Sequence, residues 1–178
     1  ASSFGDVDYF EQNLPLLAIG GFGQGNTQMV PLHMALIAAS VANQGVMMRP
    51  FVIDSTYDHD GRLMKRTSPS IWKQTMKPET ATIMSGLMQE VVRSGTASCC
   101  LKLANGFDAA AKTGTAQLNG PGEPERSHAW IIGFAPATAP RYAFAVILKG
   151  TTAEISAGTG GTLAGPVAKK VLDVALTR

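Results

Sequence analysis

The sequence predicts an α/β fold of the α+β kind, an antiparallel sheet with flanking helices. Three observations predict it. Residues 141–149 alternate with a period of two: Tyr142, Phe144, Val146 and Leu148 stand on one side, Ala143, Ala145, Ile147 and Lys149 on the other. One large face and one mostly small face suit a sheet covered on both sides. Ile83, Met84, Leu87, Met88, Val91 and Val92 recur instead at helical spacing. The order of these signals, helices first, then a meander of strands, then a last helix, suits helical layers on one sheet.

Taken along the chain, residues 1–15 show no period and read as an irregular lead-in. Residues 20–25 (GGFGQG) read as a glycine-rich turn. Residues 31–43 then read as a largely buried helix, with a cap at or just after Thr27 and Pro31 in its first turn. An extended stretch over 49–56, the turn Asp58-His59-Asp60-Gly61 and residues 62–66 make a surface hairpin. The next helix runs over 77–93, with Pro78 and Glu79 at its start and Gly95 after its end. Strands are expected at 109–116, 129–134 and 141–149, the last two joined by a hairpin link at 135–140. The final helix spans 163–176.

Composition excludes several classes. The 178 residues are enough to bury a core as a single domain, and 45% hydrophobic against 16% charged residues is ordinary for a globular chain. A net charge of +2, with no basic block, gives no nucleic-acid signature. No apolar run reaches membrane-spanning length, and no signal peptide opens the chain, which begins at Ala1 without a Met. Cys99 and Cys100 are adjacent. The expectation is two small buried or half-buried residues, because neighbours form a disulfide only with strained geometry and lack metal-ligand spacing.

The informative motif is Lys112-Thr113-Gly114-Thr115 on an expected strand. Lys112 brings positive charge to a substrate carboxylate, and the hydroxyls of Thr113 and Thr115 can donate to it. Gly114 lets a substrate lie against the strand, and the Thr115 N–H can stabilise an oxyanion. A Lys-Thr-Gly strand occurs in serine transpeptidases and class A β-lactamases. Its surroundings add weight: Gly23-Gln24-Gly25, Pro31-Leu32-His33-Met34-Ala35, Ala42-Asn43-Gln44-Gly45, Gly95-Thr96-Ala97, Ala116-Gln117 and His128-Ala129-Trp130-Ile131-Ile132-Gly133-Phe134-Ala135-Pro136.

In this order the segments resemble class B penicillin-binding proteins, with His33 where Gln is usual. The resemblance covers most of the chain from Leu17 onward. It implies a β-lactamase/transpeptidase-like fold and identifies residues 1–178 as the C-terminal portion of a transpeptidase domain. It also implies a peptidoglycan D,D-transpeptidase that binds stem peptides and β-lactam antibiotics, without metal or organic cofactor. Such a protein works at the extracytoplasmic face of the cell membrane, beside cell-wall synthesis partner proteins. The site residues it implies are Lys112, Thr113, Gly114 and Thr115.

The family's Ser-x-x-Lys and Ser-x-Asn motifs precede the Gly-Gln-Gly turn, and neither stands upstream of Gly23 here. The expectation is therefore a nucleophilic serine outside this chain, an inactive fragment, and apolar surface prone to self-association. Ser70-Ile71-Trp72-Lys73 matches Ser-x-x-Lys literally. It falls in the wrong place in the order and follows Pro69, so it reads as a loop or helix start. Two other functions remain open: a non-enzymatic binding module of the same fold, and a serine β-lactamase or β-lactam sensor.

The remaining residues read as structural. His33 sits in an apolar helix, His59 in a polar turn, and His128 at a strand start beside the motif loop. Met84 and Met88 read as core filler. Glu123, Glu125 and Arg126 read as solvated loop surface.

Overall fold

The computed structural model describes residues 1–120, 122–124 and 126–177. Its centre is an antiparallel sheet of β5 (Ala110–Gln117), β6 (Ser127–Ala135) and β7 (Tyr142–Leu148), in that order. The register sets Lys112 opposite Ile132 and Gly114 opposite Trp130 on β6, and Ile132 opposite Ala145 on β7. Among the described residues, strand β5 is therefore an edge strand, paired on one side.

Two-residue alternation sends each strand's side chains to two different layers. On one face Ala111, Ile131 and Phe144 pack with Ala164, Ala168 and Leu172. These last come from a π-turn at Gly160–Ala164 and from α6 (Gly165–Leu176). The turn is held by reciprocal hydrogen bonds between Thr159 and Thr162, so the helix expected from residue 163 begins regular α geometry at Gly165. On the other face Ala110 and Phe134 pack with Val41 and Met88. Those belong to α3 (Pro31–Ala42) and α4 (Pro78–Arg93). Helix α3 is half-buried more than buried, and Val30 precedes it with no side-chain cap.

The apolar stripe of α4 is only partly covered. Ala81 and Met88 are buried, but Ile83 is 64% and Leu87 59% exposed. Met88 is thus core, and Met84 lies partly on the open surface.

The surface hairpin is present as β2 (Ser55–Tyr57) and β3 (Leu63–Arg66). The Asp58 carboxylate closes its turn by accepting from the N–H groups of Asp60 and Arg62. A second pair, β1 (Val46–Met48) with β4 (Ile71–Gln74), was not expected. It overturns the loop or helix-start reading of 70–73: Ile71, Trp72 and Lys73 lie on an exposed strand. Ser70 itself precedes β4, and its carbonyl accepts from the Arg49 N–H.

Two further expectations fail. The lead-in holds α1 (Val7–Gln12) and the start of α2 (Leu14–Gly21), which runs on into the first two residues of the expected glycine-rich turn. Helix α1 starts where the Asp6 carboxylate accepts from the Asp8 N–H, a cap readable without any apolar period. Cys99 and Cys100 are joined as a disulfide, with Cys99 exposed. They lie in a turn after α4, where Cys100 N–H and Leu101 N–H both donate to Ala97 C=O. There no helix or strand fixes the backbone against such pairing.

Candidate active site

The four motif residues lie together on β5 and line a cleft of about 1080 Å³. Its floor is the half of the sheet that α3 leaves uncovered, including Trp130, Ile132 and Ile147. Its wall is the Gly23-Gln24-Gly25 turn and the segment leading into α3. Lys112 and Lys149 are the lysines of this lining, and none of its described residues is a carboxylate. Such a cleft favours an anionic ligand.

Lys112 is exposed, and its ammonium donates to the Thr113 carbonyl at 2.7 Å. The Thr113 hydroxyl lies 2.6 Å from that of Thr96, in the Gly95-Thr96-Ala97 segment. When Thr96 donates in this pair, the Thr113 proton stays free for a ligand. A Cβ placed on Gly114 would touch only Trp130 Cβ, at 3.5 Å. The space over Gly114 is thus open cleft. Thr115 turns its C=O to the open edge, where it accepts from the Gln24 side chain. Its N–H faces the same way, since both groups of a strand residue point to one neighbour.

Several residues that shape the site had no role legible in the sequence. Gly23 and Gly25 have φ of +85° and +69°, the left-handed region that glycine adopts without a Cβ penalty. These two turns carry Gln24 onto β5. A Cβ on Gly160 would collide with the carbonyl oxygens of Trp130 and Gly114. The π-turn therefore rests directly on the motif strand. Thr96 was visible only as part of a segment, and its contact crosses 17 residues of sequence.

His128 stands opposite Ala116 and lines the same cleft. Its Nδ1 accepts the Gly150 N–H at 3.0 Å. Desolvation, then the charges of Lys149 and Arg126, hold its pKa below the ordinary value. His33 stacks on Trp72, with ring centroids 6.4 Å apart, and His59 is solvated beside Asp60. Glu123 and Arg126 are exposed, while Glu125 lies outside the described residues. Among the described residues no group of three or more His, Cys, Asp or Glu could hold a metal ion. Among them, too, no helix is long and apolar enough to cross a membrane.

Residues 11–173 match the penicillin-binding protein transpeptidase domain. The chain is 32% identical over 163 residues to the peptidoglycan D,D-transpeptidase PbpA of Mycolicibacterium smegmatis, covering 90% of this chain and 32% of that protein. It thus spans about a third of that relative's length. The penicillin G acyl-enzyme complex of penicillin-binding protein A from M. tuberculosis superimposes with a TM-score of 0.81 at 30% identity, over 98% of this chain and 37% of that one. Pseudomonas aeruginosa PBP2 in complex with WCK 5153 gives 0.75 at 27%, over 99% and 38%.

Proposed function

The chain belongs to the penicillin-binding protein transpeptidase family, homologous to its class B members, and from that premise we propose that it forms the substrate-carboxylate wall of a peptidoglycan D,D-transpeptidase. In that enzyme the acylated serine belongs to a Ser-x-x-Lys motif, which residues 1–22 do not contain. One observation carries the reading: Lys112, Thr113 and Thr115 lie on an unpaired strand edge, in a cleft lined by lysines and, among its described residues, by no carboxylate.

In this reaction the serine oxygen attacks the carbonyl of the penultimate D-alanine of a stem peptide. The C–N bond to the terminal D-alanine breaks, and that residue leaves as the free amino acid. An amine on a neighbouring stem then attacks the acyl-serine, forming the cross-link and releasing the serine. Lys112 and the Thr113 and Thr115 hydroxyls hold the terminal carboxylate of the donor. In this reading the Thr115 N–H stabilises the tetrahedral oxyanion. β-Lactams carry a carboxylate at the equivalent distance from a strained amide and acylate the same serine. The M. tuberculosis relative forms such an acyl-enzyme with penicillin G. The whole protein acts at the extracytoplasmic face of the membrane.

Intact-mass measurement after incubation with penicillin tests this. An adduct is expected on the protein extended through its upstream sequence, and none on residues 1–178 alone. An adduct on Ser70 of the short chain would move the nucleophile. No adduct on either would favour a binding module of the same fold.

A further inference from the structure

Two side chains occupy the open edge of β5. One is Lys112, on the Thr113 carbonyl. The other is Gln24, whose Nε2 donates to the Thr115 carbonyl at 3.1 Å and whose Oε1 accepts from the Gln117 N–H at 3.3 Å. The two contacts bridge 91 and 93 residues of sequence. A carboxamide offers the same donor and acceptor as a peptide group. An acceptor at Thr115 and a donor at Gln117, two residues apart, form part of the pattern that an added strand would engage. Gln24 thus fills, with one side chain, the place of a peptide main chain.

We propose that Gln24 is a specificity-determining residue of this site: its carboxamide is an internal stand-in for a peptide group, which an acyl donor must displace from the Thr115 carbonyl. The proposal rests on the transpeptidase reading above. An extended ligand that joins a strand edge donates its own main-chain N–H to such a carbonyl. With Gln24 present that bond is an exchange, one amide for another, and adds little. With Gln24 removed it is a gain. A ligand without an N–H at that position makes no such bond in either case.

The test compares two probes on the protein extended through its upstream sequence. Penicillin G carries a secondary amide at C6, and penicillanic acid is the same nucleus without it. The readout is the ratio of their second-order acylation rates. Q24A is expected to raise the ratio in favour of penicillin G about twofold to tenfold, the worth of one neutral hydrogen bond. Q24E keeps the side-chain size and the acceptor for Gln117 but lacks the donor to Thr115, so it should raise the ratio too. Its added charge acts on both probes alike, because both bear the same carboxylate. Amide hydrogen exchange at Gln117 should quicken in Q24A and stay near wild type in Q24E. Should Q24A fail to fold, Q24E decides. Normal acylation with an unchanged ratio in the folded variants overturns the role of Gln24 alone. Absence of acylation by either probe in every variant, wild type included, overturns the transpeptidase reading and the proposal with it.

Discussion

The two faces of the central sheet come from the same three strands and end in opposite ways. Against α6 the face is finished: Ala111, Ile131 and Leu172 are each no more than 2% exposed. Against α3 and α4 it is finished only at one end, where Ala110 and Phe134 meet Met88. Two residues along β5 the cover stops, and Lys112 stands exposed above half-buried Ile132. The period of two continues through this change, and only the opposing layer differs. A binding cleft here is a sheet face whose pattern runs on past the helix that would bury it, so one strand contributes core at its start and site at its end.

The sharpest way to break this comparison is to cut side chains from both kinds of surface. Leu172→Ala removes a side chain from the finished face and should cost about 2–5 kcal/mol in urea unfolding. Leu87→Ala removes one from the open stripe of α4 and should cost less than about 0.5 kcal/mol. It should also weaken any concentration-dependent association, read by light scattering. Equal costs for the two variants would mean that the α4 stripe is covered in solution by a second copy, and the contrast would collapse.

Lys112→Ala asks the same question of the site. The side chain is exposed, so the fold should lose little. Acylation of the extended protein by penicillin should slow by about 10-fold to 100-fold, the worth of a hydrogen bond to a charged group. Lys112→Arg should recover part of this loss. If Lys112→Ala lowers stability as much as it lowers acylation, Lys112 belongs to the core side of the comparison and the carboxylate role fails.

The finished face was the legible one. Tyr142, Phe144, Val146 and Leu148 announce their strand by alternation alone, and each packs toward the α6 layer. Lys112 to Thr115 were legible by chemistry and by the order of the segments around them. What the sequence withheld depends on distance along the chain. β1 and β4 are three and four residues long, and each is recognisable only beside the other. Gln24 read as a turn residue because its partners lie on β5. The stripe of α4 had the right period, yet period records only that a face is apolar, not whether anything covers it. Cys99 and Cys100 were misread because their pairing depends on the backbone of one turn, which composition does not specify.

The smallest expected effect lies at the far end of the cleft face, and pH reads it. Desolvation first, and then Lys149 and Arg126, disfavour the protonated form of His128, and its Nδ1 accepts the Gly150 N–H. Its folded pKa therefore lies below the ordinary value of 6.5. Above 6.5 the imidazole is neutral in both folded and unfolded chains, and its contribution to stability is fully present. As pH falls below that value the unfolded chain takes up the proton first, so stability declines until the folded histidine also titrates. The ring is partly open to solvent, so the decline should stay below about 1 kcal/mol. His128→Asn should flatten this part of the stability–pH curve between pH 7 and 5 relative to wild type. Parallel curves for the two proteins would show that the imidazole does not hold Gly150 as an acceptor, and would remove His128 as a tie between β6 and the residues after β7.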